Sequence, residues 1–179
     1  MTEVTISEDD LLRRSAVGDE DAFVALYRRR QAGIFRFALH MTGNSAVAEE
    51  VTQEVFLTVI RDGGRFDSSR GSAAAYLFGV ARNQVLKHLE RDRVYVAMDD
   101  ETAPSAAPVD LTRAETIENV RQAVLSLPAG YRETVVLCDL EEMSYAEVAA
   151  ALDVPIGTVR SRLSRGRGLL LDKLTRCFA

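Results

Sequence analysis

The distribution of proline and glycine constrains the fold of this chain more than any other feature. All four prolines lie in the second part of the sequence, at Pro104, Pro108, Pro128 and Pro155. Because proline interrupts a helix interior, the residues before Pro104 are free to form long helices. Glycine at C-terminal caps adopts the left-handed conformation without strain, so Gly18 and Gly43 are natural helix ends. The pattern predicts a series of helices separated by glycine stops.

Capping signals and apolar spacing predict four helices in the first part. Ser7 and Asp10 form an S-x-x-D cap for the first helix. A second helix, from about Glu20, carries apolar residues at three- and four-residue intervals up to Gly43. A third begins at Asn44 or Ser45 and reaches about Arg61, and a fourth follows the polar loop that contains residues 62–72.

Residues 94–112 show no sustained period and contain two prolines, which predicts a flexible linker. The chain is therefore expected to have two domains, over residues 1–93 and 113–179. Six acids and one base lie between residues 94 and 119, a balance equal to the net charge of −5 of the whole chain. The acidity is thus local to the linker region and says little about what either domain binds.

The second domain contains the signature of a helix-turn-helix. A helix over about 113–126 is followed by a break at residues 127–128 and a helix through 130–140. Ser144 and Glu147 form a capping box for a short helix, Asp153 suits a tight turn, and Pro155 can open the next helix. The predicted fold is all-α, with two helical domains joined by an acidic, proline-containing linker.

The last predicted helix is strongly basic. Residues 154–171 include four arginines and no acid. At 100° per residue, Ile156, Val159, Leu163 and Leu170 fall in one arc of about 60°, the expected packed side. The expected outward residues are Thr158, Ser161, Ser164 and Arg165, flanked by Arg160 and Arg162. Hydroxyl and guanidinium groups bind phosphates and guanine edges, so this face predicts DNA contact. A merely solvated face explains Arg167 and Arg176 but not the absence of acids.

Other classes of function find little support in the sequence. Cys138, Cys177, His40 and His88 are isolated from one another, and no nucleophile arrangement, phosphate-binding glycine loop or metal-ligand cluster is visible. We therefore expect no cofactor, no metal and no enzymatic activity. No apolar run is long enough to span a membrane, and the acidic N-terminus is unlike an export signal, so a cytoplasmic protein without membrane insertion is expected.

Segments of both predicted domains resemble a known family. The segment "LPAGYRETVVLCDLEEMSYAEVAAALDVPIGTVRSRLSRGRGLL" is similar to the carboxy-terminal domain of sigma-70 family sigma factors of bacterial RNA polymerase, in the extracytoplasmic-function (ECF) group. The segments "AEEVTQEVFLTVIRD" and "YLFGVARNQVLKHLERDR" are similar to the amino-terminal domain. The resemblance implies a subunit that binds core polymerase and promoter DNA and helps to open the start site. It also implies that the basic helix reads the promoter's −35 element.

For the first domain, the resemblance implies two binding surfaces. The third helix would bind the clamp of the polymerase's largest subunit through Glu49, Glu50, Gln53, Glu54 and Leu57. The fourth helix and the loop before it would bind the −10 element and a base flipped from the duplex, through Phe66, Asp67, Ser68, Tyr76, Arg82, Asn83 and Lys87. An ordinary solvated helix face and a core role for Phe66 are the alternatives.

Three further expectations concern partners. The resemblance implies an anti-sigma factor as a partner and an acidic linker that enters the polymerase channel. A solvated spacer has the same composition and is the alternative. The alternative function is a free-standing helix-turn-helix regulator that binds operator DNA without polymerase. Binding to DNA with and without core polymerase distinguishes these two functions.

Overall fold

The computed structural model describes residues 6–96 and 113–177, and all regular secondary structure within those ranges is helical. We call residues 6–96 the first half and residues 113–177 the second half. The first half contains α1 (Glu8–Ala16), α2 (Glu20–Thr42), α3 (Ser45–Asp62), a 3₁₀ turn (Gly63–Arg65) and α4 (Ala73–Val96). The second half contains α5 (Arg113–Leu125), α6 (Ala129–Val135), a π-helical turn (Val136–Leu140), α7 (Tyr145–Leu152) and α8 (Ile156–Cys177). The predicted all-α fold is confirmed.

Local capping explains where the helices of the first half begin and end. The side chains of Ser7, Asp19 and Asn44 each accept hydrogen bonds from backbone N–H groups in the first turn that follows. These bonds satisfy donors that have no partner within the helix. Gly43 ends α2 in the left-handed conformation with a φ of 70°, as its position in the sequence predicts.

Helices α1 to α4 enclose an apolar core. Phe37 of α2 and Phe78 of α4 are fully buried and meet edge to face, with ring centroids 5.8 Å apart. Val51, Val55 and Val59 form the buried side of α3, so the opposite side of α3 faces solvent. This core fixes the orientation of α3 and α4, on which the first half's predicted binding residues lie.

The helix-turn-helix is present with its predicted caps. Ser144 and Glu147 form the full capping box of α7, and Asp153 closes α7 in the left-handed conformation with a φ of 53°. Val159 and Leu163 of α8 are buried, as predicted, but Ile156 is 41% exposed. The prediction for Ile156 was wrong because the packed side of α8 includes Gly166. Glycine has no side chain, so a hydrophobic pattern does not place it on the packed side.

The two halves pack directly on one another. One apolar core contains residues of both, among them Leu77 and Ala81 of α4 and Val136, Leu137 and Val148 of the second half. Helix α4 packs closely on α7, where a Cβ on Gly79 would lie 3.3 Å from the carbonyl oxygen of Ala151. The sequence patterns did not predict this contact.

The predicted domain limits lie close to helix ends. Helix α4 continues to Val96, three residues into the predicted linker, and α5 begins at Arg113. The rest of the predicted linker, residues 97–112, lies outside the described residues, so its flexibility and its path stay predictions. Among the helices of the described residues, none combines the length and the hydrophobicity needed to cross a membrane.

Candidate nucleic-acid interface

The outer face of α8 presents most of the predicted −35 residues to solvent. Arg160, Ser161, Ser164 and Arg165 are exposed, and Thr158 is half-buried. The Ser161 hydroxyl donates a hydrogen bond of 3.0 Å to the Thr158 carbonyl oxygen. Neither Arg160 nor Arg165 forms an ion pair among the described residues. Two guanidinium groups and two hydroxyls therefore lie on one exposed face of α8.

Arg162 differs from this prediction. Its guanidinium points toward α6, where Nη1 lies 3.3 Å from Oε1 of Glu133. The side chain of Arg162 is 30% exposed and that of Glu133 only 3%. The helical wheel placed Arg162 at the edge of the outward face. In the structure α6 packs along that edge, so an acid on α6 captures the guanidinium.

Five of the seven predicted −10 residues line a cavity of about 710 Å³. Phe66, Asp67, Tyr76, Arg82 and Asn83 line it on the side of the first half. Ala150, Ala151 and Asp153 of the helix-turn-helix line the other side. The cavity therefore combines an aromatic surface, an amide and a guanidinium, which suit the face, the edge and the phosphate of a nucleotide. Ser68 and Lys87 are exposed but do not line it.

The aromatic wall of the cavity is ordered by packing. The rings of Phe66 and Tyr76 meet edge to face with centroids 5.7 Å apart, and both side chains are half-buried. Burial, with a smaller effect of the Asp62 charge, raises the pKa of Tyr76 above its ordinary value, and Arg65 opposes the shift. The Tyr76 hydroxyl is therefore neutral at physiological pH and remains a hydrogen-bond donor. Phe66 is therefore half-buried: its ring packs against Tyr76 and also lines the cavity.

Asp67 stabilises the loop before α4 through hydrogen bonds within that loop. Its Oδ1 accepts hydrogen bonds from the hydroxyl of Ser69 at 2.7 Å and from the backbone N–H of Ser69 at 2.9 Å. These bonds lower the pKa of Asp67 below its ordinary value. An ionised Asp67 holds the turn that carries Phe66 toward α4.

Arg82 is the cavity residue whose charge is already neutralised. Its Nε donates to Oε2 of Glu133 at 2.7 Å, and its side chain is 25% exposed. Asn83, the next residue, is exposed and has no hydrogen bond among those described. The amide of Asn83 is available to a ligand, whereas the guanidinium of Arg82 would first have to break its ion pair with Glu133.

The predicted polymerase face of α3 is displayed as the sequence indicates. Glu49, Glu50, Gln53 and Leu57 are exposed, and Glu54 is partly exposed and paired with Arg61. Leu57 is 48% exposed and lies among charged neighbours. An acidic helix face with an exposed apolar residue fits a basic protein partner.

Sequence reasoning missed an extension of this apolar surface. Ile60 of α3 and Val24 and Tyr27 of α2 are exposed by 55%, 43% and 38%. The ring of Tyr27 packs against that of Phe56, with centroids 4.7 Å apart, so the α2 residues adjoin the α3 face. Tyr27 shares the three- and four-residue apolar spacing of α2, so the sequence pattern does not mark it as exposed. Ile60, one turn after Leu57, was the available signal.

Glu133 was also missed. It is 2% exposed and directly precedes the buried residues 134–137. An acid beside a run of buried valines is a signal for a buried ion pair, but its partners are far away in sequence. No group of three or more His, Cys, Asp or Glu residues suited to a metal ion occurs within residues 6–96 and 113–177.

Comparison with known proteins agrees with this geometry. The family model described as Sigma-70 region 2 matches residues 26–94, and the model described as Sigma-70, region 4 matches residues 117–170. The first covers α3 and α4, and the second covers the helix-turn-helix. The chain belongs to the sigma-70 family of RNA polymerase sigma factors, in the ECF group. The free-standing regulator is not favoured, because both sigma regions are present in order.

Curated relatives carry the same description along the whole chain. The ECF RNA polymerase sigma factor SigC of Mycobacterium tuberculosis is 32% identical over 178 residues, which cover 93% of each protein. SigW of Bacillus subtilis is 29% identical and covers 88% of this chain and 91% of its own. SigE of Mycolicibacterium smegmatis is 34% identical over 90% of this chain, which spans only 66% of that relative.

Two solved structures share the fold. CnrH, in complex with the cytosolic domain of CnrY, superposes with a TM-score of 0.73 at 23% identity and covers 94% of this chain and 97% of its own. The sigma factor RpoE of Bartonella quintana, in complex with the anti-sigma factor NepR, has a TM-score of 0.72 at 22% identity and covers 86% and 96%. At these identities the likeness shows the fold.

Proposed function

We propose that this chain acts as a promoter-recognition subunit in which three separate surfaces divide the work. The exposed face of α3, with Leu57 at its centre, binds core polymerase. The cavity beside Asn83 holds a base of the −10 element, and the outer face of α8 reads the −35 element. The family supports the overall function, and the observation that carries the division is the placement of these residues on three distinct surfaces.

The chemistry of each surface fits its ligand. The α8 face offers the cation and hydroxyl groups that bind duplex DNA, and Arg165 is exposed and unpaired there. The −10 cavity has an aromatic wall and an amide, which suit an unpaired base. We propose that the chain itself catalyses no reaction and takes no cofactor, because polymerase performs the synthesis.

Run-off transcription with reconstituted polymerase tests the division at α8. Arg165→Ala should lower transcription from a cognate promoter, and a lost guanidinium–guanine contact costs about 1–3 kcal/mol, or roughly fivefold to 150-fold in DNA affinity. A pull-down with core polymerase should show no loss. Arg176→Ala is the matched control, since Arg176 is exposed on the same side of α8 three turns further on.

The polymerase face has its own test. Leu57→Glu should weaken the pull-down, whereas Glu20→Lys, an exposed change on α2, should not. If Arg165→Ala reduces polymerase binding as much as transcription, or if Leu57→Glu leaves the pull-down unchanged, the assignment of surfaces is wrong. A promoter library in the run-off assay would report the preferred bases in the same experiment.

An anti-sigma partner and a cytoplasmic location belong to the same proposal. CnrH and RpoE are each described in complex with another protein, and RpoE's partner is an anti-sigma factor. The exposed apolar residues of α2 and α3 offer a surface that such a partner would cover in competition with polymerase. Co-purification of this chain with a tagged candidate partner, and its displacement by core polymerase, tests this part.

A further inference from the structure

Helix α1 lies against the segment that carries part of the −10 cavity. Residues 63–72 connect α3 to α4, and Phe66 and Asp67 within them line the cavity. Helix α1 ends at Ala16, ahead of residue 26, where the match to the Sigma-70 region 2 model begins. None of the residues assigned to DNA or polymerase lies on α1, so the proposed function gives this helix no role.

The end of this segment is fixed by Asp9. Its Oδ1 accepts a hydrogen bond of 2.7 Å from the backbone N–H of Ala73, the first residue of α4. The first N–H groups of a helix have no partner within the helix, and a nearby carboxylate also interacts favourably with the helix dipole. The Ser72 hydroxyl oxygen accepts from the N–H of Ala75 at 3.2 Å, so two of these donors are satisfied by side chains. Asp9 therefore determines where the segment becomes α4, although it lies 64 positions before Ala73.

The start of the segment meets the other end of α1. Gly63 is buried, and a Cβ on it would lie 3.0 Å from the Cβ of Ala16. Gly63 has a φ of −59°, so the close contact, and not the backbone conformation, favours glycine here. The N–H of Phe66 donates to the carbonyl oxygen of Gly63 at 3.0 Å. The contact with Ala16 therefore also fixes the turn that places Phe66 at the cavity.

Helix α1 is itself firmly held in the first half. Leu11 and Leu12 are 2% and 0% exposed in the core. Oε2 of Glu8 accepts from Nε and Nη2 of Arg30 on α2, at 2.7 and 2.6 Å. The two contacts of α1 with the segment are seven residues apart, which is about 10 Å along a helix axis. One rigid helix thus holds both ends of residues 63–72.

We infer that α1 is a positioning element of the −10 site. Asp9 and Ala16 hold the two ends of residues 63–72. The rings of Phe66 and Tyr76 therefore keep the arrangement that receives a base. Asp9 acts through the backbone of α4 and is a positioning residue, not a DNA contact. A base that enters a preformed aromatic wall does not have to order the loop first, so it binds more tightly than to a mobile loop. This inference rests on the proposed function of the cavity.

Two acids in the first turn of α1 provide a matched pair of variants. Asp9→Ala removes the acceptor of the Ala73 N–H. Asp10→Ala is the control, because it removes the same charge from the next residue, whose carboxylate binds Ser7 and Arg13 at α1 itself. Asp9→Asn keeps an oxygen that can accept the bond, so it should behave like the wild type.

Two neighbouring glycines provide a second pair at the other end of the segment. Gly63→Ala places a methyl group against Ala16, so the turn has to move away from α1. Gly64→Ala is the control, because a Cβ there meets nothing within 4 Å. Neither glycine has a positive φ, so alanine strains the backbone at neither position.

Hydrogen exchange of backbone amides, followed by NMR in the free protein, tests the hold on the segment without any assumption about function. Loss of a capping side chain should make exchange at Ala73 about twofold to thirtyfold faster in Asp9→Ala. Gly63→Ala should in the same way raise the exchange rate at Phe66. The two controls and Asp9→Asn should exchange like the wild type. Equal exchange in either test variant and its control would overturn the inference.

Binding of the holoenzyme to two DNA probes then tests the link to the −10 site. The probes are a labelled single strand with the −10 element and a duplex with only the −35 element, both taken from a promoter that the run-off library selects. Asp9→Ala and Gly63→Ala should bind the single strand about twofold to thirtyfold more weakly than their controls. Binding of the −35 duplex should not change, because α8 lies in the other half. An equal loss on both probes is what general destabilisation would give, and that result, or no loss on the single strand, would refute the inference.

The same promoter library separates this inference from the proposed function. If the wild-type holoenzyme transcribes no promoter of the library, the proposed function fails and the inference fails with it. If the wild type selects a promoter and Asp9→Ala binds its −10 strand as tightly as Asp10→Ala does, the inference alone fails.

Discussion

Two glycines in α8, Gly166 and Gly168, test how closely this helix packs on α6. Both lie well inside the helix, so alanine at either position should gain about 1 kcal/mol of helix propensity. A Cβ at Gly168 meets nothing within 4 Å. A Cβ at Gly166 would lie 2.7 Å from Cγ2 of Val135 and 3.4 Å from the carbonyl oxygen of Tyr131. Only Gly166 occupies the seam between the helices.

The gain in helix propensity is common to both variants and cancels in their difference. Val135 is 1% exposed and β-branched, so it can move little to accept the new methyl group. Overpacking of this kind costs about 1–3 kcal/mol. Gly168→Ala should therefore raise the free energy of unfolding by up to about 1 kcal/mol, and Gly166→Ala should fall below it by about 1–3 kcal/mol.

Urea unfolding followed by far-ultraviolet circular dichroism measures both changes at one temperature. A change in midpoint with an unchanged slope would show that stability itself has shifted. Equal stability of the two variants, or a more stable Gly166→Ala, would show that α6 and α8 do not approach as closely as the structure indicates.

Two further predictions concern titratable groups. Burial, and then the nearby Asp139 charge, raise the pKa of Cys138 from 9.0 to about 11, and Arg167 opposes this shift. In a Cys177→Ser protein, the native thiol should therefore react with a disulfide reagent at neutral pH about a hundredfold more slowly than after unfolding in urea. Equal rates in the two states would contradict this prediction. Burial alone would raise the pKa of Glu147, but hydrogen bonds from Ser144 and Ser72 outweigh it and lower the pKa below 4.5. The stability that this carboxylate contributes is therefore complete above its ordinary pKa and is lost as the pH falls through the lowered value. Urea midpoints between about pH 5 and pH 3 should fall less steeply in Glu147→Gln than in wild type, and parallel curves would refute the role of the bonds.

Much of this molecule was determined by residues close together in sequence. Ser7, Gly43 and the pair Ser144 and Glu147 act on backbone groups within one turn, so short stretches suffice to predict where α1, α2 and α7 begin or end. The faces of α3 followed from helical periodicity alone, because one side of a helix must be buried in any all-helical fold. The family and its overall function followed from the same local segments.

Only the tertiary structure decided how the halves meet. Arg36 and Glu141 are separated by 105 residues and Arg82 and Glu133 by 51, so no local pattern joins them. Arg162 turned inward because α6 supplies an acid at that edge of α8. Gly79 and Gly166 lie at close contacts, where the absence of a side chain permits the approach and leaves no hydrophobic signal. Long-range pairing of charges and close packing at glycines depend on the neighbours that folding brings together, whereas the caps and helix faces depend on the chain itself.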